Sequence, residues 1–139
     1  MANNLFIRDS SAELISVLVF SRSAGIRRYL KKLSLMAGFG ETLEAASYEE
    51  AFHAIQEKNP DVVIINAKTR VFDSLFEARR VNKIWKNNKR RTPKILALDM
   101  HTEKDIQIAR EFGFRDIIVL PSSPGIILQR VMNALETLD

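Results

Sequence analysis

Apolar residues along the chain follow two rhythms. Short, nearly continuous runs of Val, Ile and Leu alternate with longer stretches in which apolar residues return every three or four positions. The first pattern is that of strands covered on both faces, the second that of amphipathic helices. Strands are predicted at Ile15–Phe20, Thr42–Ala46, Val62–Ile65, Lys94–Leu98 and Ile117–Leu120. Between them, Ile26, Tyr29, Leu30, Leu33 and Met36 mark the apolar face of a first helix, which Gly38 and Gly40 stop. Ser47 with Glu50 forms a capping box for a second helix through Ala51, Phe52 and Ile55, ended by Asn59-Pro60. A third helix is expected over about 72–86. A fourth opens at Thr102 with Asp105 and closes at Gly113. A fifth starts with Ser123 as cap and Pro124 in its first turn, and its face is Ile127, Leu128, Val131, Leu135 and Leu138.

Five strands, each followed by a helix, imply an α/β fold. With right-handed crossovers, the expected arrangement is a flavodoxin-like, doubly wound five-stranded parallel sheet of order 2-1-3-4-5 with five helices. Residues 1–13 read as a polar N-terminal arm and 14–139 as one domain. The chain stops soon after the fifth helix, which suggests no output domain. In such a sheet the functional cleft lies at the carboxyl ends of the first and third strands, where the winding reverses. The residues there are Ser21, Arg22 and Asn66.

Composition narrows the classes. At 139 residues the chain suits one domain, and 46% apolar with 27% charged residues is ordinary for a globular protein. No apolar run approaches a membrane span, and Leu5-Phe6-Ile7 is too short for a signal-peptide core. The cytoplasm is therefore the expected location. The absence of cysteine excludes disulfides and thiolate chemistry. The net charge is +4, but cations gather at Lys83, Lys86, Lys89, Arg90, Arg91 and Lys94 without an intervening acid. This is a candidate basic patch for an acidic surface or nucleic acid, weighed against a plain solvated helix end and loop. Trp85 beside it is expected to pack on the sheet rather than stack on bases. His53 and His101 lack ligand spacing, and Gly25 alone is no nucleotide fingerprint.

The framework resembles response-regulator receiver domains from Ile15 to Leu138. Val17-Leu18-Val19-Phe20 resembles the first strand, and Arg27-Arg28-Tyr29-Leu30 the start of the first helix. Glu44-Ala45-Ala46-Ser47 with Glu49-Glu50-Ala51 resembles the passage from second strand to second helix. Pro60-Asp61-Val62-Val63-Ile64-Ile65 is similar to the run leading into the family's phosphoaccepting aspartate. Glu111-Phe112-Gly113-Phe114 and Asp116-Ile117-Ile118-Val119-Leu120-Pro121 match the later helix end and the fifth strand.

The family's chemistry is missing from these positions. Its paired acids after the first strand correspond to Ser21 and Arg22, and its phosphoacceptor to Asn66. Its hydroxyl at the end of the fourth strand corresponds to Leu98, its lysine to Leu120, and its aromatic switch to Ile117. Mg²⁺ needs carboxylate oxygens, and an asparagine amide lacks the anionic oxygen that attacks phosphorus. With an arginine and no carboxylate, the cleft has the wrong sign for a divalent cation. The resemblance thus implies a pseudo-receiver of two-component or phosphorelay signalling that is neither an enzyme nor a holder of metal or cofactor. It also implies a cis bond before Pro121.

Three further expectations follow. Arg22 either points to solvent or plugs the vacated metal position by pairing with Asp99. The trio Ser21, Arg22 and Asn66 either holds an anion or leaves the cleft to water. The candidate partner surface, by analogy with the family's fourth helix, fifth strand and fifth helix, includes Ile106, Arg110, Ile117 and Gln129. A signalling protein or a second copy of the chain would dock there, with nucleic acid the less favoured partner and no membrane involved.

Overall fold

The strands form where β-branched and leucine residues run without interruption, and they assemble as the sequence predicts. In a computed structural model describing residues 12–66, 92–99 and 103–136, β1 (Ser16–Phe20), β2 (Glu41–Ala45), β3 (Val62–Asn66), β4 (Lys94–Leu98) and β5 (Asp116–Val119) make one parallel sheet. Its order is β2-β1-β3-β4-β5. Four helices are described: α1 (Ala24–Met36), α2 (Tyr48–Lys58), α3 (Glu103–Glu111) and α4 (Pro124–Glu136). The helix expected over 72–86 lies outside the described residues, as do Trp85, His101 and Thr102.

Alternation along each strand divides the core into two layers. Val17, Val19, Val62, Ile64, Ile95, Ala97 and Ile118 face α1 and α4, meeting Leu30, Leu33, Ile127 and Val131. Leu18, Phe20, Val63, Ile65, Leu96 and Leu98 face the other way, onto Ala51 and Ile55 of α2 and Ala109 of α3. Burying one such aliphatic side chain contributes roughly 1.5–3 kcal/mol, whereas an exposed ion pair contributes about 0–1 kcal/mol. The sheet core therefore holds the fold, and the cleft at its end is free to change chemistry without loss of architecture.

Local signals behave largely as read. Ser47 Oγ accepts the Glu50 amide at 3.1 Å, while the Glu50 carboxylate reaches back to the Ala46 amide at 2.6 Å. Ser23 and Ser123 cap α1 and α4 by accepting the amides of Ile26 and Ile126. Asn59 ends α2 in the left-handed conformation, at φ 47°. Leu120–Pro121 is cis.

Three readings need correction. Met36 does not continue the buried face of α1; it is 62% exposed. The buried residues of α1 are Leu30, Leu33 and Ser34; the partly buried Ala37 packs beside them, and Phe39 from the following loop fills the core beyond. Gly40 does not stop α1, which Gly38 ends at φ 95°. Gly40 is instead a point of close approach: its amide donates to the carbonyls of Ala12 and Ile15, and a Cβ there would collide with the Glu13 carbonyl. Finally, Ala12 is fully buried in the core, so the packed domain includes a residue that the sequence reading assigns to the arm. Residues 1–11 lie outside the described ones. Because backbone cannot yield as a flexible side chain does, Gly40→Ala is expected to cost about 1–3 kcal/mol. Urea unfolding would measure it, and an unchanged midpoint would contradict the close approach.

Candidate functional site

Ser21 and Asn66 reach the same point because β1 and β3 are adjacent and in register, Phe20 opposite Ile65. Each lies one step past that pair. Ser21 is fully buried, and its hydroxyl donates to Asn66 Oδ1 at 2.8 Å while accepting the Ser23 amide at 3.1 Å. The Asn66 amide nitrogen donates to the Ala97 carbonyl of β4 at 3.0 Å. A polar chain thus crosses the sheet from β1 through β3 to β4. The Ser21 backbone joins it: its amide donates to the Ala45 carbonyl of β2, and its carbonyl accepts Arg27 Nη1 at 2.8 Å.

This geometry leaves little hydrogen-bonding capacity for an added anion. The Ser21 proton is directed at Asn66, and one Asn66 donor is directed at backbone. Arg22 is exposed, and its guanidinium carbon sits 5.2 Å from the centre of the Tyr48 ring. That ring also packs on Phe20 with centroids 4.8 Å apart. Cation–π contact at an exposed site is worth about 0.5–1 kcal/mol, enough to bias the side chain. Ser21 and Asn66 meet directly, and Arg22 has a ring contact with Tyr48 of α2. Asp99 is also exposed.

The two leucines of the cleft have become core. Leu98 is fully buried against the α2 and α3 layer, and Leu120 is 6% exposed in the α1 and α4 layer. Their strands are joined by the Leu120 amide donating to the Leu98 carbonyl at 2.7 Å. Beyond Pro121, the Tyr29 hydroxyl donates to the Ser122 carbonyl at 3.0 Å and accepts the Ser122 amide at 2.9 Å. This reciprocal pair ties α1 to the loop that starts α4. It was not legible in sequence, since Tyr29 read simply as part of an apolar face.

Of the candidate partner residues, Ile106, Arg110 and Ile117 line one groove of about 290 Å³ between α3 and the β5 edge. Gln129 is exposed on α4 but lines neither this groove nor the hollow of about 380 Å³ formed by Ile117, Val119, Ile126 and Arg130. Asp116 and Arg130 lie 3.8 Å apart across this edge.

The basic patch requires a correction. Lys94 is 5% exposed, and its Nζ lies 4.8 Å from the centre of the Phe114 ring. Burial pushes its ammonium pKa down to about 8. It sits inside β4, between core neighbours Pro93 and Ile95, and cannot belong to a solvated patch. Lys83, Lys86, Lys89, Arg90 and Arg91 lie outside the described residues. His53 is exposed and packs edge-on against Phe52.

No family model matches the chain, and no relative is found among curated proteins. Solved structures do match. A response regulator from Thermotoga maritima superposes with a TM-score of 0.72 at 19% identity, covering 88% of this chain and 98% of that one. The chemotaxis protein CheY4 of Vibrio cholerae gives 0.69 at 23% identity, covering 87% and 98%. A response regulator receiver domain protein from Clostridium thermocellum gives 0.66 at 21%, covering 88% and 94%. Sheet order, helix placement and these superpositions agree that the chain has the receiver-domain fold of response regulators.

Proposed function

We propose that this chain is a non-phosphorylatable receiver module of two-component or phosphorelay-type signalling that acts by binding protein rather than by catalysis. The observation that carries this reading is the Ser21–Asn66–Ala97 hydrogen-bond chain, which occupies the end of the sheet where receivers handle phosphorus. A side chain whose amide donates to backbone, beside a serine and an exposed arginine, offers neither an attacking carboxylate nor ligands for Mg²⁺.

The protein would hold one conformation, and a partner would act on it only through its own differential affinity. The groove of Ile106, Arg110 and Ile117, with Gln129 nearby, is the docking face in this reading, for a signalling protein or a second copy. Apolar side chains flanked by cations suit a protein partner. Among the described residues, no helix is long and apolar enough to cross a membrane.

Incubation with acetyl phosphate and Mg²⁺, followed by intact mass, is expected to leave the protein unmodified while an active receiver gains a phosphoryl group. A stoichiometric adduct on Asn66 or a neighbour would end the proposal. Affinity capture should then recover a partner with wild-type protein that Arg110→Glu with Gln129→Glu fails to retain.

A further inference from the structure

The two most exposed large apolar side chains among the described residues are Leu14, at 85%, and Met36, at 62%. Both lie at the foot of the sheet, the end opposite the cleft: Leu14 comes just before β1, and Met36 ends α1 just before β2. Gly38 reverses the chain there at φ 95°, its amide donating to the Leu35 carbonyl and that of Phe39 to the Ser34 carbonyl. Phe39 then enters the same core layer as Ala12. The Gly40 amide donates to the carbonyls of Ala12 and Ile15 at 3.2 and 3.1 Å. The turn over residues 12–15 and the last turn of α1 are thus tied together through Phe39 and Gly40, so Leu14 and Met36 open at the same end of the domain.

That turn is fixed from two sides. The Gly40 backbone lies so close to Glu13 that a Cβ would strike its carbonyl, and Ala12 is fully buried in the α1–α4 layer. The chain before Ala12 therefore leaves from the foot, on the α1–α4 side. In that segment Leu5-Phe6-Ile7 is a lone apolar run between Asn3-Asn4 and Arg8-Asp9-Ser10-Ser11. Three consecutive large apolar residues do not suit a solvated arm. The four residues between Ile7 and Ala12 span up to roughly 14 Å when extended, which is enough to lay the run across the foot.

We propose that Leu5-Phe6-Ile7 folds back as a strap onto Leu14 and Met36, closing the foot of the domain within the same molecule. A second copy is the weaker occupant because the strap's tether begins at the patch itself. A short linker holds its end at an effective concentration on the order of millimolar, far above that of free protein. Phe6 brings a ring to Met36, whose flexible thioether packs well against aromatic edges. A closed foot removes an adhesive apolar end from the surface and leaves association to other faces. The strap is independent of what the α3–β5 groove binds.

The chain has no cysteine, so introduced pairs report proximity cleanly. In the full chain, Phe6→Cys with Met36→Cys is expected to close an intramolecular disulfide under mild oxidation, at a rate independent of protein concentration. It should form at least about tenfold faster than Phe6→Cys with Gln56→Cys, whose second site is exposed on α2 across the sheet. In the wild type, nuclear Overhauser effects are expected between the Met36 methyl group and the Phe6 ring. Replacing Leu5, Phe6 and Ile7 together by Ser should move the Met36 methyl signal to that of a solvated methionine. The signal of the half-buried Met132 should stay in place, which reports an intact core. Equal rates for the two cysteine pairs, an absent Overhauser effect, or a Met36 signal indifferent to the triple substitution would overturn the strap. Disulfides that join two chains would overturn it as well, by making the occupant a second copy.

Discussion

Asn66→Asp is expected to destabilise the domain by about 2–3 kcal/mol at neutral pH rather than to restore phosphorylation. The substitution removes the amide donor held 3.0 Å from the Ala97 carbonyl and puts a carboxylate oxygen in its place. Two acceptors then face each other where a bond had been. The Ser21 hydroxyl still donates to the new side chain, which offsets part of the loss. Repulsion by the carbonyl raises the folded-state pKa of the introduced acid above its unfolded value near 4. The folded state then binds more protons than the unfolded one in that window, so stability falls as pH rises through it. The deficit should shrink on acidification to about pH 4. Urea unfolding at the two pH values checks this. Intact mass after acetyl phosphate and Mg²⁺ should still show no adduct, since Ser21 and Arg22 bring no carboxylate to hold the metal. A variant as stable as wild type that accepts phosphate would show that the polar chain across the sheet is incidental.

Lys94→Met is expected to stabilise the protein at pH 7, also by about 2–3 kcal/mol. Burial lowers the Lys94 pKa to about 8 against an ordinary 10.5. Between those values the unfolded chain binds a proton that the folded chain does not. Stability of the wild type should therefore rise with pH across that window, and below about pH 8 the cost of the buried ammonium is paid in full. The Phe114 ring lies 4.8 Å from Nζ and offsets part of it. Methionine fills a similar shape without the charge. In thermal melts from pH 7 to 10, the wild-type and variant curves should converge as pH rises. Parallel curves would show that the ammonium is solvated in the folded state.

Both predictions concern features that the sequence reveals only in part. Val17 through Phe20 and Val62 through Ile65 announce buried strands because nothing polar interrupts them, and parallel order then follows from the helices between. The replacement of an aspartate by Asn66 is likewise legible, since position along the framework is enough. What Asn66 does instead is not, because its partners Ser21 and Ala97 meet it only through strand pairing over 45 and 31 residues. Lys94 misleads for a different reason: lysines are seldom buried, so one at the end of a cationic run reads as surface. Met36 fails on helical arithmetic, where three and four residues are equally good steps until the sheet decides between them.

The tie between Tyr29 and Ser122 has a consequence for the motions open to the molecule. The Ser122 amide is satisfied by a hydroxyl 93 residues earlier in the chain, not by its own helix. Its hydrogen cannot be traded with solvent by fraying of α4 alone; α1 must first part from the segment after the cis bond. That one proton is a natural clock for separation of α1 from the segment that leads into α4.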